Sequence, residues 1–170
     1  YGDAAWRVEA EGCDFSSTGS AFVIGPRHLA TNNHVVSNDA TPKVVSRDGR
    51  TLQGTVIGGG WSPDIAVIEV TEDLGDPLLW TNADSLGEGD SIVVLGYPAP
   101  HIEFGIANGL IMSFMKEEGR RIGFRTNVDA DSGNSGGPGL TDTGRVAGIV
   151  TLVEQGDFRI STLLFTADHV

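Results

Sequence analysis

The sequence predicts an all-β fold: two strand groups curled into sub-barrels and packed as one unit. Three observations predict it. Short apolar runs rich in Val, Ile, Thr and Phe recur along the chain. Clusters of Gly, Pro, Asn and Asp separate them. No stretch sustains a helical period. The chain of 170 residues suits one domain with a substantial core.

The first group of candidate strands is Ser20–Ile24, His28–Thr31, Val44–Ser46, Thr51–Ile57 and Ile65–Val70. Gly25-Pro26 punctuates the first two. Asp48-Gly49 lies between the next two and is a hairpin signature, because both residues tolerate the left-handed region. Gly58-Gly59-Gly60 reads as a turn before the last. The acidic, Gly-rich stretch Asp73–Gly89 has little periodicity and marks a soft division. The second group is Ser91–Leu95, Gly105–Phe114, Ile122–Thr126, Arg145–Val153 and Phe158–Phe165. Its turn signals are Glu118-Gly119, Thr143-Gly144 and Gly156-Asp157. Met115–Gly123 reads as a solvated hairpin. The expected division is an N-terminal barrel at 1–78, a connector at 79–90 and a C-terminal barrel at 91–170.

Composition excludes several function classes. A net charge of −12 argues against nucleic acid, which needs a clustered basic surface, and against an anionic membrane. No apolar run approaches the ~18 residues of a membrane-spanning helix. The lone Cys13 cannot form an internal disulfide. The four histidines are scattered and no ligand cluster accompanies Cys13, so neither a metal nor a cofactor is expected. The start at Tyr1, without a basic segment leading into an apolar one, reads as a mature fragment or an excised domain.

Three segments carry chemistry. In Asp131-Ser132-Gly133-Asn134-Ser135-Gly136-Gly137-Pro138, glycines flank a serine on both sides. A serine hydroxyl needs a base and needs donors for the oxyanion it creates. Flexible glycines let the backbone aim the Gly133 and Ser135 amides at one point. The same pattern also suits a plain surface turn. In Thr31-Asn32-Asn33-His34-Val35-Val36, His34 follows an apolar strand that holds its ring at the strand end, where it can serve as a general base. A lone histidine is more often structural. In Ser62-Pro63-Asp64-Ile65-Ala66, Asp64 stands at the mouth of another apolar strand. It either caps that strand or orients the Nδ1–H of His34, leaving Nε2 for Ser135.

The order His, Asp, Ser at strand edges resembles the chymotrypsin-fold serine proteases, and among them the HtrA/Deg branch. The resemblance rests on Gly19-Ser20-Ala21-Phe22-Val23-Ile24, Thr31-Asn32-Asn33-His34-Val35, Asp64-Ile65-Ala66-Val67-Ile68, Ala83-Asp84-Ser85-Leu86 with Gly89-Asp90, Leu95-Gly96-Tyr97-Pro98 and Gly133-Asn134-Ser135-Gly136-Gly137. It runs from about Gly19 to Phe165. It implies two six-stranded antiparallel barrels with the site in the cleft between them. It implies a serine endopeptidase with His34 as base, Asp64 as orienting carboxylate, Ser135 as nucleophile, and Gly133 and Ser135 as oxyanion donors.

The resemblance carries further expectations. Asn134 has no charge to attract a newly freed N-terminal ammonium, so loop ordering rather than N-terminal insertion is expected to govern activity. Asp129 stands six residues before Ser135, where trypsin-like members keep a carboxylate that selects Lys or Arg at P1. Thr151 and Val153 fall on the segment expected to line S1, and Val153 would narrow it towards small aliphatic P1 residues. Polypeptides are the implied substrates, and a flanking regulatory domain or homo-oligomer the implied partner. The family favours an extracytoplasmic or periplasmic compartment, with the cytoplasm open. The alternative is a latent or non-catalytic module of a larger sensor or defence protein.

Overall fold

The computed structural model describes residues 2–154 and 160–164, with side chains as far as Thr151. Among the described residues thirteen strands form two sheets. The first sheet contains β1 (Ala5–Glu11), β2 (Ser16–Gly25), β3 (His28–Thr31), β4 (Lys43–Val45), β5 (Thr51–Gln53), β6 (Thr55–Trp61) and β7 (Asp64–Glu69). Neighbours are antiparallel, in the order β5-β4-β1-β2-β3-β7-β6. Its two edge strands, β5 and β6, are joined through the single residue Gly54, so the sheet must curl until its edges meet. The expected run Thr51–Ile57 is thus one path broken at a corner, and a barrel of six strands becomes a sheet of seven.

The second sheet is a closed barrel of β8 (Ser91–Gly96), β9 (Gly105–Glu117), β10 (Arg120–Thr126), β11 (Pro138–Leu140), β12 (Val146–Glu154) and β13 (Ile160–Leu164). Its order is β10-β13-β12-β11-β8-β9. The fold is the chymotrypsin-like double barrel.

Three cores hold it. Trp6, Val8, Val23, Leu29, Val44 and Ile68 fill the first sheet. Ile92, Val94, Ile111, Phe124, Val128 and Val150 fill the second. A third core, with Ala5, Phe22 and Ala30 on one side and Leu95, Leu140 and Ile149 on the other, glues the two together. The segment between barrels is stitched to both: Leu78 N–H donates to Val23 O at 3.0 Å, and Val146 N–H donates to Leu79 O at 2.8 Å. Burying the larger of these side chains, Phe22, Leu95, Leu140 and Ile149, is worth roughly 1.5–3 kcal/mol each, which is what makes two small barrels one unit.

Local pattern misses three features. Strand β1, Ala-Trp-Arg-Val-Glu-Ala-Glu, went unread because its outward positions are charged, although Trp6, Val8 and Ala10 alternate inward. Strand β11 opens on Pro138, the one strand position where a missing N–H costs little. Gly58-Gly59-Gly60 is not a turn but part of β6, paired with Val67, Ala66 and Ile65 of β7. A side chain at Gly59 would lie 2.7 Å from Asn33 Oδ1, so the bare backbone here makes room for the segment carrying His34. The hairpin expected at Met115–Gly123 is present, joining β9 to β10, with Glu118 and Gly119 both at positive φ. Its Arg121 is engaged rather than merely solvated, donating to Leu86 O at 2.7 Å and lying 3.7 Å over the Phe114 ring. Gly156-Asp157 lies outside the described residues.

Candidate active site

His34 sits on one helical turn, α1 (Asn33–Val36), rather than directly on a strand end. Val35 and Val36 are buried and anchor that turn, while the His34 ring stays 39% exposed. The register of β3 on β7 pairs Thr31 with Ala66, so the chain leaving β3 runs beside the start of β7. Asp64 is the first residue of β7. Asn32 fastens the two, its Nδ2–H donating to Asp64 O at 2.7 Å.

The Asp64 carboxylate is mostly buried and accepts twice from His34. The main-chain N–H of His34 reaches Oδ1 at 3.0 Å, and the ring Nδ1 lies 2.5 Å from Oδ2. A proton on Nδ1 satisfies that contact, and the neutral ring then carries its lone pair on Nε2.

The serine segment is two linked turns. Asn134 N–H donates to Asp131 O at 3.0 Å, and Gly137 N–H to Asn134 O at 2.9 Å. Gly133 and Gly136 occupy the third position of each, with φ of +97° and +86°. Ser132 and Ser135, at the second positions, are not at positive φ, so both turns are type II. The central carbonyl of each is pinned: Ser132 O accepts from Ala99 N–H at 2.7 Å, and Ser135 O from Ser20 N–H at 2.8 Å. In a trans peptide the N–H opposes the C=O, so these pins also set where the Gly133 and Gly136 amides point. The Gly136 amide donates to Val150 O at 2.8 Å. Among the described residues, the amides of Gly133 and Ser135 donate to no acceptor.

The turns meet the histidine segment across β2 and β3. A Cβ on Gly136 would run into Ser20 O, Thr31 Oγ1 and Asn32 N, and one on Gly19 would meet Ser135 O and the Val35 side chain. Asn134 is buried, its side chain against Gly96. Asp129 is exposed, between the core residues Val128 and Ala130. Thr151 is buried; its hydroxyl donates to Ile149 O at 3.3 Å and lies 3.2 Å from Asn32 Nδ2. The side chain of Val153 lies outside the described residues.

Sequence reasoning passed over Ser20 and Asn32 as site residues. Both are fully buried polar side chains beside the serine and histidine segments. Their only local signal is a polar residue at the end of an apolar run, which equally fits a solvated strand end.

Comparison with known proteins agrees with this architecture. The family model described as "Trypsin-like peptidase domain" matches residues 19–149. Protease Do-like 2 of the chloroplast of Arabidopsis thaliana is 33% identical over 84% of this chain and 25% of its own length. The periplasmic serine endoprotease DegP of Salmonella typhimurium is 30% identical over 84% of this chain and 31% of its own. The chain thus spans about a quarter to a third of the curated relatives it matches. The active form of the Rv3671c protease from M. tuberculosis superposes with a TM-score of 0.85 at 26% identity, covering 95% of this chain and 75% of that one. A motif set spread over both barrels, a family match across most of the chain and a shared double-barrel fold converge: the chain belongs to the trypsin-like peptidase domain family, on its HtrA/Deg-like branch.

Proposed function

We propose that the domain is a serine endopeptidase that hydrolyses peptide bonds in polypeptide substrates. One observation carries the reading. Beside a histidine held twice by a carboxylate stands a serine turn in which the amides of Gly133 and Ser135 donate to no acceptor among the described residues. That is the donor pair an oxyanion requires.

The mechanism follows from this geometry. Ser135 Oγ attacks the substrate carbonyl while His34 Nε2 accepts its proton. Asp64 holds the ring through Nδ1 and stabilises the imidazolium that forms. The carbonyl oxygen gains negative charge and accepts from the Gly133 and Ser135 amides, each worth roughly 3 kcal/mol. His34 returns the proton to the leaving amine, and water then cleaves the acyl-enzyme by the same steps.

For P1 we propose a small aliphatic residue. The exposed Asp129 supports this, since a carboxylate selecting Lys or Arg works best at the base of an enclosed pocket. The relatives named periplasmic support an extracytoplasmic site of action, and their greater length supports a flanking regulatory domain. No described helix is long and apolar enough to cross a membrane. The test is labelling by a fluorophosphonate probe: the parent should label and Ser135→Ala should not. Equal labelling of both would end the reading.

A further inference from the structure

Ser20 belongs to the first sheet, yet every polar atom it has is used, and two of its four hydrogen bonds go to the serine turns of the second. Its N–H donates to Ser135 O at 2.8 Å. Its hydroxyl donates to Gly133 O at 2.6 Å and accepts from Tyr97 N–H at 3.0 Å. Its carbonyl accepts from Thr31 Oγ1 at 2.7 Å. The residue is 0% exposed, so no water replaces a lost bond cheaply.

These bonds act on specific peptides. The Ser20 N–H holds the central carbonyl of the second turn, and the hydroxyl holds the carbonyl that follows the Gly133 φ rotation. Gly133 is free to rotate in both directions, so its orientation depends on what grips its flanking carbonyls. Ala99 grips one of them, from a half-buried loop. Ser20 grips the other, from the middle of a core strand, and braces itself on Tyr97 at the end of β8.

We infer that Ser20 is a positioning residue: its hydroxyl holds the Gly133 carbonyl, on the other side of the Gly133 Cα from the Gly133 N–H, and together with the Ala99 pin on Ser132 O it keeps the Gly133 amide facing the developing oxyanion, across the junction of the two barrels. This rests on the endopeptidase reading above. The lock acts on charge that develops only in the transition state, so its loss falls on kcat.

The experiment compares the parent, Ser20→Ala and Ser20→Cys, each well below its own melting temperature and per titrated active site. For Ser20→Ala the expected result is a roughly 10- to 100-fold lower kcat, a KM within about threefold, and a matching loss of affinity for a peptide boronate, whose boron hydroxyl occupies the oxyanion position. Ser20→Cys is nearly isosteric but a weaker donor, and should fall between. It carries the same comparison if Ser20→Ala does not fold. A merely structural role would lower the melting temperature and leave kcat and boronate affinity in place; that result overturns the proposal. A crystal structure of the variant gives a readout independent of turnover: a Ser132–Gly133 peptide that has rotated supports the lock, and one unchanged in its type II form refutes it. A parent that neither labels nor cleaves would count against the endopeptidase reading alone, and the Gly133 conformation would still decide the lock.

Discussion

His34 and Asp64 are joined by both carboxylate oxygens, Oδ2 taking the ring at 2.5 Å and Oδ1 taking the main-chain N–H at 3.0 Å. The second contact matters because it fixes the carboxylate relative to the backbone that carries the ring. The carboxylate thus stays beside the His34 backbone for as long as α1 stays on β7.

The first prediction concerns that unit. Ser135→Ala and His34→Ala should each lower kcat by about 10⁶, and Asp64→Asn by about 10⁴. The double variant Ser135→Ala/His34→Ala should be no slower than either single one, since the residues act as a unit. Peptidase assays on a fluorogenic peptide check this; losses that multiply would refute it.

The second concerns specificity. Peptides differing only at P1 should show kcat/KM for Val or Ala at least ~100-fold above Lys or Arg. Preferential cleavage after Lys, abolished by Asp129→Asn, would restore Asp129 as the selecting carboxylate.

The third concerns the serine turn. Gly136 has φ of +86°, and a Cβ there would run into Ser20 O and Thr31 Oγ1. Gly136→Ala combines an unfavourable φ with overpacking and should cost at least ~2 kcal/mol and most of the activity. Gly49→Ala is the matched comparison, with φ of +88° and nothing within 4 Å. It should cost about 1 kcal/mol and spare the activity. Thermal melts beside activity assays separate the two; equal effects would show that φ alone matters.

The fourth concerns pH. Burial pushes the Tyr97 phenol above its ordinary value of 10.0, with Arg7 and Arg47 opposing and Asp48 adding to the shift. The folded state therefore binds that proton more tightly than the unfolded chain. Its contribution to stability is complete below about pH 10 and falls as pH rises beyond it, by up to about 1.4 kcal/mol per pH unit. Tyr97→Phe should flatten the melting temperature over that alkaline range. At neutral pH it should also lose about 1 kcal/mol from the bond to Ala5 O, which the phenol now reaches at 3.2 Å. An alkaline slope equal to the parent's would discard Tyr97 as its source.

Legibility in the sequence followed burial pattern closely. Strands with apolar runs, such as Ile65–Val70 and Ser91–Leu95, were readable within a residue or two. Strand β1 was not, because the charges of Arg7, Glu9 and Glu11 broke the run while the alternating inward face remained intact. The glycines at 58–60 misread as a turn because local pattern cannot see that Asn33 of α1 lies against Gly59. His34, Asp64 and Ser135 stood out by their flanks, whereas Ser20 and Asn32 did not.

By itself the sequence determined the all-β class, the two strand groups, and the residue types able to attack, hold a proton and free two amides. These depend on near neighbours: side-chain periodicity, turn chemistry and glycines beside a serine. Only the tertiary structure decided that Gly54 closes the first sheet and that α1 carries His34 onto Asp64. Only it showed that Ser20 reaches Gly133 across 113 residues of chain. Such contacts come from the register of strands and the packing of one barrel on the other. A hydrogen bond made there leaves no periodic trace in the residues that make it.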